Sequence, residues 1–282
     1  MEENHKKNGK GTLELLSLFN KSTGRIDTID TEENELIVLK PGGKVVEFMG
    51  MVKGGKSKHI QLLCDNLKKD GELTDILGIP IEIEVFKPNS FVKILYEKDP
   101  HTRPLYNEAI IHLHGLVLNT LYLRPKGDVN INTREINLAL MDRGPSDDLV
   151  WTNTLHDYKL LLSENVRDAQ LSMARNLERF IDLVIGVNVP IHEAMKREGE
   201  REGSVMNLPF LQKLYRHYER LSKDAKELGQ PSLLQNSYLD IDGTADTEAN
   251  AAIIYKRVKG LYLPQEIEEL RYSQQMIETQ DI

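Results

Sequence analysis

The sequence predicts a three-layer α/β protein in which helices cover both faces of a doubly wound, parallel, five-stranded sheet, with a helical lid. Two observations lead there. Apolar runs bounded by turn residues alternate along the chain with segments of helical periodicity. In addition, a glycine-rich turn, Gly50-Met-Val-Lys-Gly-Gly-Lys-Ser57, lies between an apolar strand and an amphipathic helix. In open sheets of this kind ligands sit beyond the C-terminal ends of the strands.

The elements follow in order. Lys44–Met49 reads as a first strand, and Lys56–Lys69 as a helix with Ile60, Leu63, Cys64 and Leu67 on one face. Pro80–Phe86 is a second strand, with Ile81, Ile83 and Val85 on one side. Leu105–Leu123 is a long helix, apolar at Ile110, Leu113, Val117 and Leu121. Glu135–Met141 forms a third strand rising to Asp142, and helical stretches follow at about Asp147–Leu162 and Asn165–Phe180. Asp182–Val189 is a fourth strand stopped by Pro190. Polar helices run from His192 to Lys226 with a break near Gly203–Pro209, then a weak strand at Tyr238–Ile241 and a helix at Thr247–Val258. The chain divides into an extension (1–40), one domain (41–262, lid about 190–210) and a polar tail (263–282). Glu35–Leu39 and Val45–Met49 flank Pro41-Gly-Gly43 as hairpin strands would. The strand entering a phosphate loop is normally central and parallel to its neighbours, so Glu35–Leu39 is assigned elsewhere, at a sheet edge.

Composition narrows the function. Hydrophobic residues are 40% and charged residues 28% of the 282, as in ordinary soluble globular chains. A formal charge of −8 with scattered basic residues argues against a broad nucleic-acid surface. The single cysteine, Cys64, allows neither an internal disulfide nor a cysteine metal cluster. Met1–Lys10 is polar, and no run approaches the length of a membrane span. The expected setting is the cytoplasm, and a homodimer is compatible with the sequence.

Gly50–Ser57 satisfies G-x-x-x-x-G-K-[ST], the P-loop pattern, at every fixed position. Glycines let successive backbone N–H groups converge on a phosphate, and the following helix adds the positive end of its dipole. Lys56 then reaches the β- and γ-phosphates, and the Ser57 hydroxyl ligates Mg²⁺. The four fixed positions would coincide by chance in about 1% of chains this long, and the strand–loop–helix setting agrees as well. The nucleotide site is therefore assigned to Gly50, Lys53, Gly54, Gly55, Lys56, Ser57 and Lys58.

The segment from Val45 to Leu63, followed by Asn66-Leu-Lys-Lys-Asp-Gly71, resembles the opening of the thymidylate kinases and deoxynucleoside kinases. Leu138-Ala-Leu-Met-Asp-Arg-Gly144 is similar to the Asp-Arg motif ending their third strand. Asp182–Pro190 with Glu193, Arg197 and Arg201 is similar to their fourth strand and arginine-bearing lid, and Phe210–Glu219 to the helix after it. Asp240–Thr244 with Thr247-Glu248 resembles the fifth strand and the loop over adenine. The resemblance covers about residues 44–260 and implies ATP and Mg²⁺ as cofactors. Lys56, Asp142, Arg143, Arg197 and Arg201 would be catalytic, with Ser57 and Asp142 at the metal. The residues suit that chemistry, because phosphoryl transfer is mostly positioning plus cationic stabilisation. Arg197 and Arg201 are four apart and share a helix face; the plainer alternative is a solvated face laced with Glu198, Glu200 and Glu202.

The chain departs from the kinase pattern on the acceptor side. Lys87, before Pro88, stands where these kinases carry a glutamate, Met49 replaces the usual acid before the loop, and Gly144 follows Asp-Arg in place of Tyr or Ser. Glu84 is the nearest substitute acid on that strand. The expectation is therefore a kinase acting on a small acceptor, most simply a nucleoside or nucleotide. The competing readings are a P-loop ATPase working as a nucleotide-dependent switch and a nucleotide-binding protein without turnover. Asp240-Ile-Asp-Gly-Thr244 also matches a phosphatase signature, but only 38 residues follow it, too few for that fold's remaining strands. His112 and His114 point to different helix faces and make no chelate.

Overall fold

The computed structural model of the protein describes residues 36–87, 103–122, 133–159, 163–199 and 208–263. Residues 1–35 and 264–282, together with Pro88 and Arg201, lie outside them. Strand β1 (Leu36–Met49) enters the phosphate loop, and α1 (Lys56–Lys68) and α2 (Gly71–Leu77) lead to β2 (Ile83–Phe86). Helix α3 (Arg103–Leu121) precedes β3 (Thr133–Asp142), which is followed by α4 (Pro145–Asp157) and α5 (Glu164–Glu178). Then come β4 (Leu183–Asn188), α6 (Ile191–Gly199), α7 (Leu208–Leu228), β5 (Tyr238–Asp242) and α8 (Thr247–Gly260).

The sheet has five strands in the order β2–β3–β1–β4–β5, and every pairing is parallel. Parallel strands need helical crossovers, which cover both faces and make the central strands mostly apolar on both sides. Alternation along β1 shows the division. Val45 and Met49 face one core with Leu118 of α3, Leu149 of α4, Ala174 of α5 and Leu214 of α7. Val46 and Phe48 face a second core with Ile60 and Leu63 of α1, Leu73 of α2 and Ile254 of α8. The expected apolar face of α1, from Ile60 to Leu67, is buried as its spacing requires.

One sequence expectation is corrected. Leu36–Leu39 is no edge strand or hairpin arm but the first half of β1, pairing in parallel with Thr133–Ile136 of β3. The register slips between Leu39 and Lys44, so Lys40-Pro-Gly-Gly43 forms a bulge within a continuous strand. A hairpin would reverse the chain, and the second half could not then keep the parallel pairing of Lys44–Phe48 with Leu138–Asp142. The strand thus runs through residue 40, where the sequence suggested a boundary. Helix α2 was not anticipated, although Asp70 is its N-cap, accepting from the Leu73 N–H at 3.1 Å.

Because Leu39 is 1% exposed in the middle of this sheet, Leu39→Ala is expected to cost about 2–5 kcal/mol of unfolding free energy. Urea denaturation followed by circular dichroism measures it. A loss below about 1 kcal/mol, the usual result at a surface position, would contradict the central placement.

Candidate functional site

The phosphate loop leaves the C-terminal end of β1, and its backbone is shaped by what it passes. Gly50 has φ +131, and a Cβ there would overlap the Val187 carbonyl of β4. Only glycine lets the loop turn this closely beneath its neighbour. The helix that follows is open at its start: Gly55 caps α1 with φ 95, no side chain bonds its first N–H groups, and no acid stands in its first turn. In four other helices such groups are satisfied. Asp70 caps α2, Ser163 caps α5, Asp246 caps α8, and Glu47 takes the Ser146 and Asp147 N–H groups at the start of α4. Uncapped N–H groups with the dipole's positive end behind them are what an anion requires.

Lys56 is buried, and its Nζ donates to the Gly50 and Met51 carbonyls, both at 3.0 Å, so the ammonium lies inside the loop. Burial, reinforced by the Arg143 guanidinium, brings its pKa down to about 7. Beside it, the Ser57 hydroxyl donates to Asp142 Oδ2 at 3.0 Å. Alternation produces this pairing: Leu138 and Leu140 face the α1 side of the sheet, and Asp142, two residues on, shares that side. A hydroxyl and a carboxylate side by side are hard oxygen donors suited to Mg²⁺, which commonly takes one or two protein oxygens and completes its shell with phosphates and water. Among the described residues no cluster of three or more His, Cys, Asp or Glu side chains could cage a metal.

Arg143 turns inward with φ 74. Its Nη1 donates to Asp147 Oδ2 at 2.6 Å, and its guanidinium lies 5.3 Å from the Trp151 ring centre. Asp147 Oδ1 also accepts from the Gly50 N–H at 3.3 Å and from the Tyr218 hydroxyl of α7. Burial works against the charge on Arg143, but Asp147 more than offsets it and holds the group firmly protonated. Below this cluster lies Glu47, fully buried, whose two oxygens accept from Asp147 N at 2.7 Å and Ser146 N at 3.0 Å. Burial raises its pKa to about 8 against the pull of those two N–H groups. Gly144 makes the room, since a Cβ there would lie 2.8 Å from the Glu47 carboxyl carbon. Gly144 and the buried Glu47 are therefore one arrangement.

Arg197 of α6 reaches the loop. Its Nη1 donates to the Lys53 carbonyl at 3.1 Å and its Nη2 to the Gly243 carbonyl at 3.4 Å, after β5. Arg197 is partly exposed and also lies 3.9 Å from Glu193 one turn earlier, and Arg201 lies outside the described residues. Lys53 is half-buried and Lys58 exposed on the first turn of α1. On β2, Glu84 is ion-paired with Arg134, so it is not a free acid. Lys87 directly follows Phe86, which pairs with Met141, and so lies at the same sheet edge as Asp142.

Several residues here went unassigned from sequence. Glu47 left a signal, an acid inside the apolar run Val45–Met49, whereas Asp147 left none, since Arg143 lies before the helix that carries it. His114 is fully buried, with Nδ1 2.5 Å from Asp148 Oδ2, while His112 lies exposed on another face. The carboxylates of the phosphatase-like run are engaged locally. Asp240 accepts from Asn188 and Ser222, each at 2.7 Å, and Asp242 from the Thr244 N–H and hydroxyl at 2.9 and 2.6 Å.

A parallel sheet with its phosphate loop after the central strand, flanked by a strand-end aspartate and covered by an arginine-bearing helix, is the architecture of a P-loop nucleotide-binding protein. Its fold is that of the P-loop deoxynucleoside kinases. It is similar to deoxyadenosine kinase from M. mycoides with bound dCTP, with a TM-score of 0.51 and 15% identity over 77% of this chain and 99% of that one. The same enzyme with products dCMP and a flexible dCDP bound gives a TM-score of 0.51 and 16% identity, with equal coverage. No family model and no curated protein sequence matches the chain.

Two pH dependences follow. A Lys56 that loses its proton near pH 7 can pair with phosphate only when reprotonated, while a terminal phosphate with a pKa of about 6 is already ionised there. The dissociation constant for a nucleotide held by its phosphates is therefore expected to rise by up to about tenfold per pH unit above 7, measured calorimetrically from pH 6.5 to 8.5. Glu47 acts on stability. Its folded pKa of about 8 exceeds the ordinary 4.5, so its contribution is full below about 4.5 and is lost as pH rises through 8. Asp148, raised to about 6 by burial against His114, adds a slope of the same sign. Thermal unfolding should show the wild type losing stability between pH 5 and about 8.5, and Glu47→Gln should flatten that loss.

Proposed function

We propose that the protein is a cytoplasmic phosphotransferase that moves the γ-phosphoryl group of ATP, with Mg²⁺, to a small acceptor of the nucleoside or nucleotide class. The observation that carries this reading is the apposition of Lys56, Ser57 and Asp142 at one sheet edge, beside an uncapped helix start. Loop N–H groups and Lys56 bind the β- and γ-phosphates. Ser57 and Asp142 hold Mg²⁺, which when bound neutralises charge on the phosphate oxygens. Arg143 and Arg197 supply positive charge near the transferring group, where a loose transition state spreads charge over three equatorial oxygens. An acceptor oxygen attacks the γ-phosphorus in line, its bond to the ADP oxygen breaks, and ADP leaves.

The acceptor side favours a nucleotide over a nucleoside. A hydroxyl must lose a proton as it attacks and is helped by a free carboxylate, whereas a phosphomonoester oxygen is already ionised at neutral pH. Among the described residues the carboxylates at this edge are engaged: Asp142 by Ser57, Asp147 by Arg143 and Tyr218, Glu84 by Arg134. Lys87 stands in the acid's place, and a cation suits an anionic acceptor. The inward-turned Arg143 favours the second reading, an ATPase switch whose acceptor position serves water or a partner.

The test is ADP release from ATP and Mg²⁺ with separate pools of deoxynucleosides and deoxynucleoside monophosphates, with Lys56→Ala as control. Acceptor-dependent release is expected, faster with the monophosphates, and reduced about 100-fold or more in the variant. Release that ignores every acceptor identifies the switch, and a wild type without ATP affinity ends the nucleotide reading.

A further inference from the structure

Asp147 lies at the crossing of three parts of the site that are far apart in sequence. It is 1% exposed, and its position is doubly set. Its own N–H is fixed by Glu47, and its carboxylate accepts from Gly50 of the phosphate loop, Arg143 beside Asp142, and Tyr218 on the helix after the lid. An isolated buried carboxylate is expensive, and a plain stabilising pair would be served as well by apolar side chains of similar volume. Two features argue for more than stability. Arg143 is held at φ 74, a left-handed conformation that side chains other than glycine adopt only under constraint from their surroundings, and Asp147 is the acceptor that ties its guanidinium down. The Gly50 N–H taken by the other oxygen belongs to the first residue of the phosphate loop, itself at φ +131. One rigid carboxylate thus sets the distance between the donor loop and the arginine.

Resting on the kinase reading, we propose that Asp147 is a positioning residue. It locks Arg143 and the start of the phosphate loop into one frame, so that turnover, rather than nucleotide binding, depends on it through Arg143. Lys56, the loop N–H groups of α1 and Ser57 make the nucleotide site without it, so ATP binds when it is changed. What is lost is the fixed placement of Arg143 relative to the γ-phosphate, and misplacement by about 1 Å costs on the order of 100-fold in rate.

Asp147→Asn keeps the shape and one acceptor oxygen but removes the charge that holds Arg143. In the ADP-release assay with ATP, Mg²⁺ and the two acceptor pools, kcat is expected to fall at least about tenfold, with the dissociation constant for ATP within about threefold of wild type. Asp147→Asn combined with Arg143→Gln should be no slower than Arg143→Gln alone, because Asp147 acts through Arg143. If Asp147→Asn unfolds, the double variant, which buries no unpaired charge, keeps the test alive, and its kcat must still lie at least about tenfold below wild type. Wild-type kcat in either variant, an equal loss of ATP affinity and kcat, or independent effects of the two substitutions would each overturn the proposal. A wild type whose ADP release equals that of Lys56→Ala would instead remove the kinase reading itself, so the two failures are distinguishable.

Discussion

The parallel pairing of β1 with β3 is the constraint on which the site depends. It carries the end of β1, where the phosphate loop begins, and the end of β3, where Asp142 stands, to the same edge, with Phe48 opposite Asp142. Helix α1 then packs on that side through Ile60 and Leu63, and its first turn brings Ser57 within hydrogen-bond distance of Asp142. Neither residue has to search for the other, because the register of the two strands and the side-chain alternation of β3 place them together. The bulge at Lys40–Gly43 is part of the same constraint, since it lets β1 lengthen its pairing with β3 without reversing direction.

The opposite face of the sheet carries the burden of charge. Glu47, Asp147, Asp148 and Glu178 are all buried beneath or beside α4, with Arg143 and His114 as their cationic or proton-donating partners. Burial raises Glu178 to about 7 against its bond from Ser146, in line with Glu47 and Asp148. Such a cluster destabilises a fold unless every lone pair finds a donor, and most here do: helix N–H groups, a tyrosine hydroxyl, a guanidinium. Polar groups of this kind specify one arrangement of α4 against the sheet where an apolar interface would allow several. The left-handed backbone of Arg143 and the buried ammonium of Lys56 belong to the same pattern, in which charge is held inside the fold by its surroundings.

The fold was legible in the chain because its signals are local. The apolar run Val45–Met49, the glycine turn and the face of Ile60, Leu63, Cys64 and Leu67 lie within about twenty residues of one another. Lys56 and Ser57 stand out for the same reason, and Asp142 because it ends a strand, and the fold brings the three to one sheet edge. Pro41-Gly-Gly43 misled because the same residues serve hairpins and bulges, and only the neighbouring strand decides between them. Gly144 looked like a simple departure until its partner, Glu47, was found beneath it.

Residue order alone thus determines the alternation of strand and helix and the glycine-rich loop between β1 and α1, since each rests on backbone preference and short-range spacing. Tertiary structure decides how the buried cluster around Asp147 is built. Gly50 meets Asp147 across 97 residues of chain, and Glu47 reaches Asp147 across 100. Those partners are chosen by strand order and burial, because a buried carboxylate must take whichever donors the fold brings to it.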